Sequence, residues 1–299
     1  MNTSIVVPVY NDPDGLSTTV ESLLDQTASD YEVVIADNGS ADTTPAVARR
    51  LSEADDRVRV VRETAVQSSY AARNAGIAAT TGDVIGFLDA DMWVDRDYVE
   101  AITRSIAETD RSYLGCDVEV VGGGGSVSRF YQAVEFPVER LLRDARFAPT
   151  CCLVVHRRVI EAVGPFDDRL ISGGDVEFGR RVADHGFALA FEPSITVYHP
   201  ERSSIRELVS KHIRVGRGQE QLRTYHTDRI TFRPIAHPGN YLPLRPRNFL
   251  AALNDTPVSP WETGYWFLLA YLLKLSRSVG RLLEYGRQRL ATTGGYSRA

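Results

Sequence analysis

The sequence predicts an α/β fold built on a mostly parallel sheet with helices on both faces. Short apolar runs alternate with helix-period segments from residue 4 to residue 106, with brief turns between them. Several strand-like runs end on polar residues: Tyr10-Asn11, Asp37-Asn38-Gly39-Ser40, and the pair Asp89 and Asp91. Such alternation is what helical crossovers between parallel strands produce.

In order, Ser4 to Val9 reads as the first strand, and Asp12 offers a cap to a helix carrying Leu16, Val20, Leu23 and Leu24 at helical spacing. Tyr31 to Ala36 is the second strand, Thr43 to Ser52 a helix with Pro45 in its first turn, and Val58 to Arg62 a third strand. Ser69 to Thr80 is an alanine-rich helix broken late by Gly76. Val84 to Leu88, an apolar run bounded by turn residues, is a buried strand that delivers Asp89 and Asp91 to the sheet's carboxyl edge. Asp95 caps a helix through Ile106. Downstream come a strand over 112–121, a glycine loop at 122–125, a helix over 130–143 kinked at Pro137, and a strand over 150–155. A helix over 157–163 follows, then a glycine turn opening a helix near Gly174, and strand-like runs over 188–192 and 195–198 that close at His199-Pro200.

Strand ends in such a sheet share one rim, so Tyr10, Asp37, Asp89 and Asp91 converge there. The combination suits a nucleotide: a ring for the base, carboxylates for base or ribose, and a metal for phosphates. Two carboxylates one residue apart repel and need a cation, and hard oxygen ligands suit Mg2+ or Mn2+. An isolated pair of this kind reads first as a solvated acidic turn, so its neighbours decide. Neither a dinucleotide fingerprint nor a P-loop is present.

The chain has 299 residues and a net charge of −5 that hides an asymmetry. Residues 1–201 carry 18 Lys+Arg and 33 Asp+Glu, whereas residues 202–299 carry 16 and 6. A cationic final third suggests an anionic partner. No nucleic-acid motif supports nucleic acid as that partner. Over 261–288, Lys274, Arg277 and Arg281 run beside an apolar stripe of Leu268, Leu272, Leu275, Val279 and Leu282. This predicts an amphipathic basic helix for a membrane surface, or equally a helix packed on its own chain or on another subunit. No leader and no spanning segment is expected, and the three cysteines read as reduced, buried residues of a cytoplasmic protein, peripheral at most on the membrane's cytosolic face.

Taken together, Val6 to Asn11, Asp37 to Ser40, Ala72 to Gly76, Gly82 to Asp91, Gly164 to Asp167, Gly174 to Phe178 with Arg181, and Pro193 to His199 resemble the family 2 glycosyltransferases of the GT-A fold. The resemblance covers roughly residues 4–200. It implies inverting transfer from a nucleotide-activated sugar, with a divalent metal on the diphosphate. It places Pro8, Tyr10 and Asp37 around base and ribose, Arg73 near the nucleotide, Asp89 at ribose or metal, and Asp91 as the principal metal ligand. Asp175 matches the general base, and His199 a metal or diphosphate contact. Helical spacing agrees: Glu177 and Arg181 stand at i and i+4 as an ion pair, leaving Asp175 about 200° around the helix. The chain departs from the pattern at Gly174, where many members carry Glu, which puts the tuning of Asp175 in doubt.

The expected organisation is a catalytic domain over 1–200, with a nucleotide-binding part over 1–111 and an acceptor-binding part over 112–200, followed by a basic helical region over 201–299. The expected partners are a UDP- or GDP-sugar, a glycan or polyprenyl-phosphate-linked acceptor, and an anionic membrane surface. The competing readings are a nucleotide-binding scaffold without catalysis and a sugar-nucleotide nucleotidyltransferase. The second normally needs a glycine-rich basic loop after its first strand, and Pro8-Val9-Tyr10-Asn11 is not one.

Overall fold

The computed structural model describes residues 1–107, 111–253, 256 and 258–294. They divide into two compact units. The first comprises Met1–Val121, Phe136–Arg169 and Gly174–Pro200; the second comprises Gly122–Glu135, Leu170–Gly173 and Glu201–Ala299.

The first unit opens with β1 (Thr3–Val9), α1 (Pro13–Leu24), β2 (Tyr31–Asp37), α2 (Thr44–Ala54), β3 (Val58–Arg62), α3 (Ser69–Ala79) and β4 (Val84–Phe87). A two-residue β5 (Trp93–Val94), α4 (Tyr98–Ala107) and β6 (Tyr113–Val121) follow. The second unit contributes α5 (Ser126–Val134). Back in the first unit lie α6 (Val138–Arg140), β7 (Leu153–His156), α7 (Arg157–Val163), α8 (Gly174–Asp184) and β8 (Leu189–Pro200). The second unit closes with α9 (Ile205–Tyr225), α10 (Pro246–Ala252) and α11 (Pro260–Gly294).

The sheet runs β3-β2-β1-β4-β7-β6-β8-β5. Strands β1 to β4 are parallel as expected, while β7 runs antiparallel to both β4 and β6, and β5 antiparallel to β8. Helices cover both faces. Gly76 of α3 lets the helix close on Val6, where a Cβ would collide with that side chain. On the opposite pleat, Ile5 approaches Gly86 beside Ile102 and Tyr98 of α4.

Three local expectations change. The helix over 130–143 is interrupted: α5 stops at Val134, α6 restarts after Pro137, and a π-helical turn follows over Leu141–Ala145. Proline clashes with the carbonyl four residues back, so a break replaces the kink. The two runs over 188–198 form one strand, β8, whose register against β6 slips between Cys116 and Asp117. A bulge absorbs the Pro193 interruption. The stretch 231–260, whose spaced prolines read as loop, contains α10.

In the second unit α9 and α11 form a close pair. A Cβ at Gly216 would strike the Arg277 carbonyl, and one at Gly280 the Ile213 carbonyl, so both glycines permit backbone-to-backbone approach. The orientation of α11 reverses part of the expectation. Trp266, Leu269, Leu273, Arg281 and Glu284 are buried, whereas Leu268, Leu272, Val279 and Leu282 are exposed. Arg281 turns inward because an acid of α9 receives it: it pairs with Glu220, while Glu284 of α11 takes Arg217 of α9. Among the described residues no helix is long and apolar enough to cross a membrane.

Candidate active site

The parallel strands reach the rim unevenly. Strand β4 stops at Phe87, opposite Val6, so Pro8 and Val9 of β1 outrun it. A proline in a central strand normally forfeits a ladder bond, and here Pro8 sits where β4 no longer offers one. Pro8 itself is buried beside Ala36, and the chain beyond it presents Tyr10, half of whose surface is exposed (51%). Strand order reverses across β1, the switch point at which open α/β sheets form a ligand crevice.

Asp37 closes β2 opposite Val9 and is buried. Its Oδ1 accepts the Ser40 amide at 2.9 Å, while Oδ2 lies 3.3 Å from Arg62 Nε and accepts no hydrogen bond among the described residues. An anionic oxygen buried without a donor is costly, and a ligand hydroxyl or N–H at the rim would satisfy it. The neighbouring turns interlock. Asn11, at φ +50°, donates its amide to Ser40 Oγ at 2.9 Å, and its own Oδ1 accepts the Ala41 amide at 2.9 Å.

Asp89 and Asp91 do not face each other as an uncompensated pair. Asp89 is ion-paired with Arg73 of α3, which is itself buried and also donates to the Ser69 carbonyl. Arg73, expected near the nucleotide, thus acts on Asp89 first, and its Nε has no hydrogen-bond partner among the described residues. Asp91 adopts φ +99°, a conformation rare for a residue with a Cβ. Thr19 of α1 holds it there: its hydroxyl accepts the Asp91 amide at 3.1 Å and donates to the Met92 carbonyl at 2.7 Å. Sequence reading passed over Thr19, although a polar residue on the buried stripe of α1 between Leu16 and Leu23 was the available signal.

Asp175 lies in the first turn of α8, with its Oδ1 taking the Val176 amide at 2.9 Å. Burial pushes its carboxyl above the ordinary aspartate value and the charge of Asp89 adds to this, against the Val176 amide and Arg73, which lower it. Asp175 therefore feels both members of the Arg73–Asp89 pair. Glu177, as expected, is spent: Arg181 grips it at 2.9 and 2.7 Å while also reaching the Gly164 and Pro165 carbonyls at 3.1 and 2.7 Å.

Tyr70 is a second residue that sequence reading missed. A Cβ at Gly174 would lie 2.7–2.8 Å from its ring, so the aromatic ring fills the space a side chain there would need. Burial and the Asp175 charge push the Tyr70 hydroxyl upward, so it stays protonated. Phe166, 5.8 Å from that ring, is fixed by Asn74, whose amide group donates to the Phe166 carbonyl at 2.9 Å and accepts its N–H at 3.0 Å. The segments Ala72–Gly76 and Gly164–Asp167 are thereby joined.

His199, near the end of β8, is buried, with its ring 5.1 Å from Phe136 and Nδ1 2.6 Å from the Pro200 carbonyl. Trp93 pairs with Tyr198, so the chain leaving Asp91 runs alongside this end of β8. Among the described residues no three His, Cys, Asp or Glu side chains gather to hold a metal unaided. A magnesium- or manganese-type ion at this rim would therefore take one or two carboxylates and complete its shell with substrate oxygens.

Known proteins resemble this chain over most of its length. A family model described as glycosyl transferase family 2 matches residues 4–163. The chain is 33% identical over 290 residues to glycosyltransferase AglE of Haloferax volcanii, covering 93% of this chain and 94% of that one. It is 27% identical over 248 residues to the pre-mycofactocin glycosyltransferase of Mycobacterium tuberculosis, covering 80% of this chain but only 51% of that relative. Among solved structures, mannosyltransferase PcManGT from Pyrobaculum calidifontis in complex with GDP-Man and Mn2+ superposes with a TM-score of 0.63 at 18% identity, covering 94% of this chain and 86% of that one. S. aureus TarS 1–349 in complex with UDP-GlcNAc gives 0.57 at 16% identity over 97% and 92% of the two chains. These last two likenesses show the GT-A fold. With the ordered motifs, the rim that gathers them and a family model spanning more than half the sequence, this chain belongs to glycosyl transferase family 2.

Proposed function

We propose that the chain is a metal-dependent, inverting glycosyltransferase that moves a sugar from a UDP- or GDP-sugar to a hydroxyl or phosphate of a glycan or polyprenyl-phosphate-linked acceptor. One observation supports this above the others: Asp175, Arg73 and Asp89, from three separate elements, lie close enough to act electrostatically on one another.

In this reading Tyr10 packs on the base, Asp37 uses its undonated Oδ2 on base or ribose, and Pro8 shapes the floor beneath them. Arg73 orients Asp89 toward ribose or metal through their ion pair. Asp91 and His199 would hold the cation, which when bound would neutralise charge on the departing diphosphate. Asp175 takes the acceptor's proton. A general base works best with its pKa drawn toward the working pH, and burial shifts Asp175 in that direction. Gly174 supplies no acidic neighbour, so the upward shift comes from burial and the charge of Asp89. The first unit carries donor and acceptor chemistry under this proposal. The exposed apolar stripe of α11 supports a peripheral contact with an anionic membrane surface on the cytoplasmic side.

PcManGT and TarS carry different nucleotides, so the base stays open between guanosine and uridine. A panel of UDP- and GDP-sugars, incubated with Mn2+ or Mg2+ and with EDTA, tests the reading. Metal-stimulated release of nucleoside diphosphate from one donor supports it. A scaffold would bind nucleotide without release, and Asp175→Asn would leave its phenotype intact.

A further inference from the structure

The second unit contains a cavity of about 370 Å³ lined by Arg233, Lys274, Arg277 and Arg281, together with neutral groups that include Asn240 and Ser278. No carboxylate lines it. Of the four cations, Arg281 is matched: its Nη2 and Nε lie 3.0 and 3.2 Å from Glu220 Oε2. Glu220 is shared with Arg223. The other nearby buried acids are occupied too, Glu284 by Arg217 and Arg287, and Glu135 by Lys211. Among the described residues Arg233, Lys274 and Arg277 have no ion pair with any acid. Lys274 Nζ donates only to the neutral Leu242 carbonyl, at 2.7 Å.

These cations are held together at a cost. Burial lowers the Arg277 guanidinium against the opposing charge of Glu135, and it lowers Lys274 as well, with Arg233 and Arg277 adding to that shift. His212 on α9 adds no further positive charge, since burial and Arg277 push its imidazole down to about 4. Three unmatched positive charges on two segments, facing one void, attract a multiply charged anion. A carboxylate would balance one of them. A phosphate or diphosphate brings two or three charges and oxygens that guanidinium and ammonium donors match.

We propose that this cavity is a binding site for a phosphate or diphosphate group, held by Arg277, Lys274 and Arg233. The group belongs either to a lipid headgroup or to a soluble phosphate ester. The proposal does not rest on sugar transfer by the first unit.

The test titrates the full-length protein, in EDTA, with inorganic pyrophosphate by calorimetry. The expected result is one saturable site per chain, weakened about tenfold or more by Arg277→Gln and by Lys274→Gln, since each removes a charge-assisted hydrogen bond. Asp91→Asn, in the first unit, leaves it unchanged. Lys274 is partly exposed, so its variant reports even if Arg277→Gln impairs folding. Flotation on phosphatidylglycerol–phosphatidylcholine vesicles separates the two sources. Flotation displaced by pyrophosphate assigns a lipid phosphate; absent or undisplaced flotation, with pyrophosphate bound, assigns a soluble ester. No saturable binding, or binding that Lys274→Gln and Arg277→Gln leave unaltered, overturns the proposal.

Discussion

Thr19 Oγ1 accepts the Asp91 amide at 3.1 Å and so pins an aspartate at φ +99° beside the sheet's rim. Strained backbone of this kind persists only where surrounding contacts over-determine it. A single buried hydroxyl on α1, which also donates to the Met92 carbonyl, supplies that constraint.

Thr19→Val keeps the shape and removes the hydroxyl, leaving a buried amide and carbonyl unsatisfied. We expect a loss of about 1–3 kcal/mol in chemical denaturation. Sugar transfer should fall as well, because the Asp91 turn relaxes. Unchanged activity in a folded Thr19→Val protein would show that the turn does not depend on this brace.

Asp91→Asn should lower the transfer rate by roughly 10²–10³-fold, the scale of losing one well-placed electrostatic group. The metal concentration giving half-maximal activity should rise with it. Full activity at the wild-type metal requirement would remove Asp91 from the site.

Asp175→Asn separates catalysis from stability. As general base, the carboxylate contributes about 10²–10⁴-fold to rate. Its folded pKa is raised by burial, so ionised Asp175 opposes folding once the pH exceeds that value, and the penalty disappears below the unfolded value. The Asn variant should therefore match or exceed the wild-type melting temperature at neutral pH while being nearly inactive. The wild-type rate should decline on the acid side, starting above the ordinary aspartate range. A pH–rate profile and a melting curve check both halves.

Gly174→Ala drives a methyl into the Tyr70 ring and should cost roughly 1–3 kcal/mol. In a Tyr70→Ala background the same change should cost less, a coupling that a double-mutant cycle measures directly. Equal costs in both backgrounds would mean that the ring is not what excludes a side chain.

The two faces of α11 should respond oppositely. Trp266→Ala removes a fully buried ring and should destabilise by about 3–5 kcal/mol. Leu268→Gln, on the 66% exposed side, should stay within about 0.5 kcal/mol. Urea unfolding of both variants reads the helix's orientation.

Much of the site was legible because its residues end strands. Asp37, Asp89 and Asp91 announce themselves as carboxylates after apolar runs, and Glu177 with Arg181 follows from helical spacing alone. What escaped notice depends on contacts across long sequence separations. Thr19 and Asp91 are 72 residues apart, and Asn74 meets Phe166 across 92. The closure of the Arg73 guanidinium on Asp89, across 16 residues and two elements, has no local signal either.

The sequence by itself determined the alternation of strand and helix, the parallel edge where the acids emerge, and the family to which their order points. These are local matters of period and turn chemistry. Tertiary structure alone decided which way amphipathic segments face: the composition of α11 suits a basic surface helix, yet Glu220 of α9 draws Arg281 inward and leucines are left in water. A buried charge goes where its counter-charge is, and only folding brings the two together.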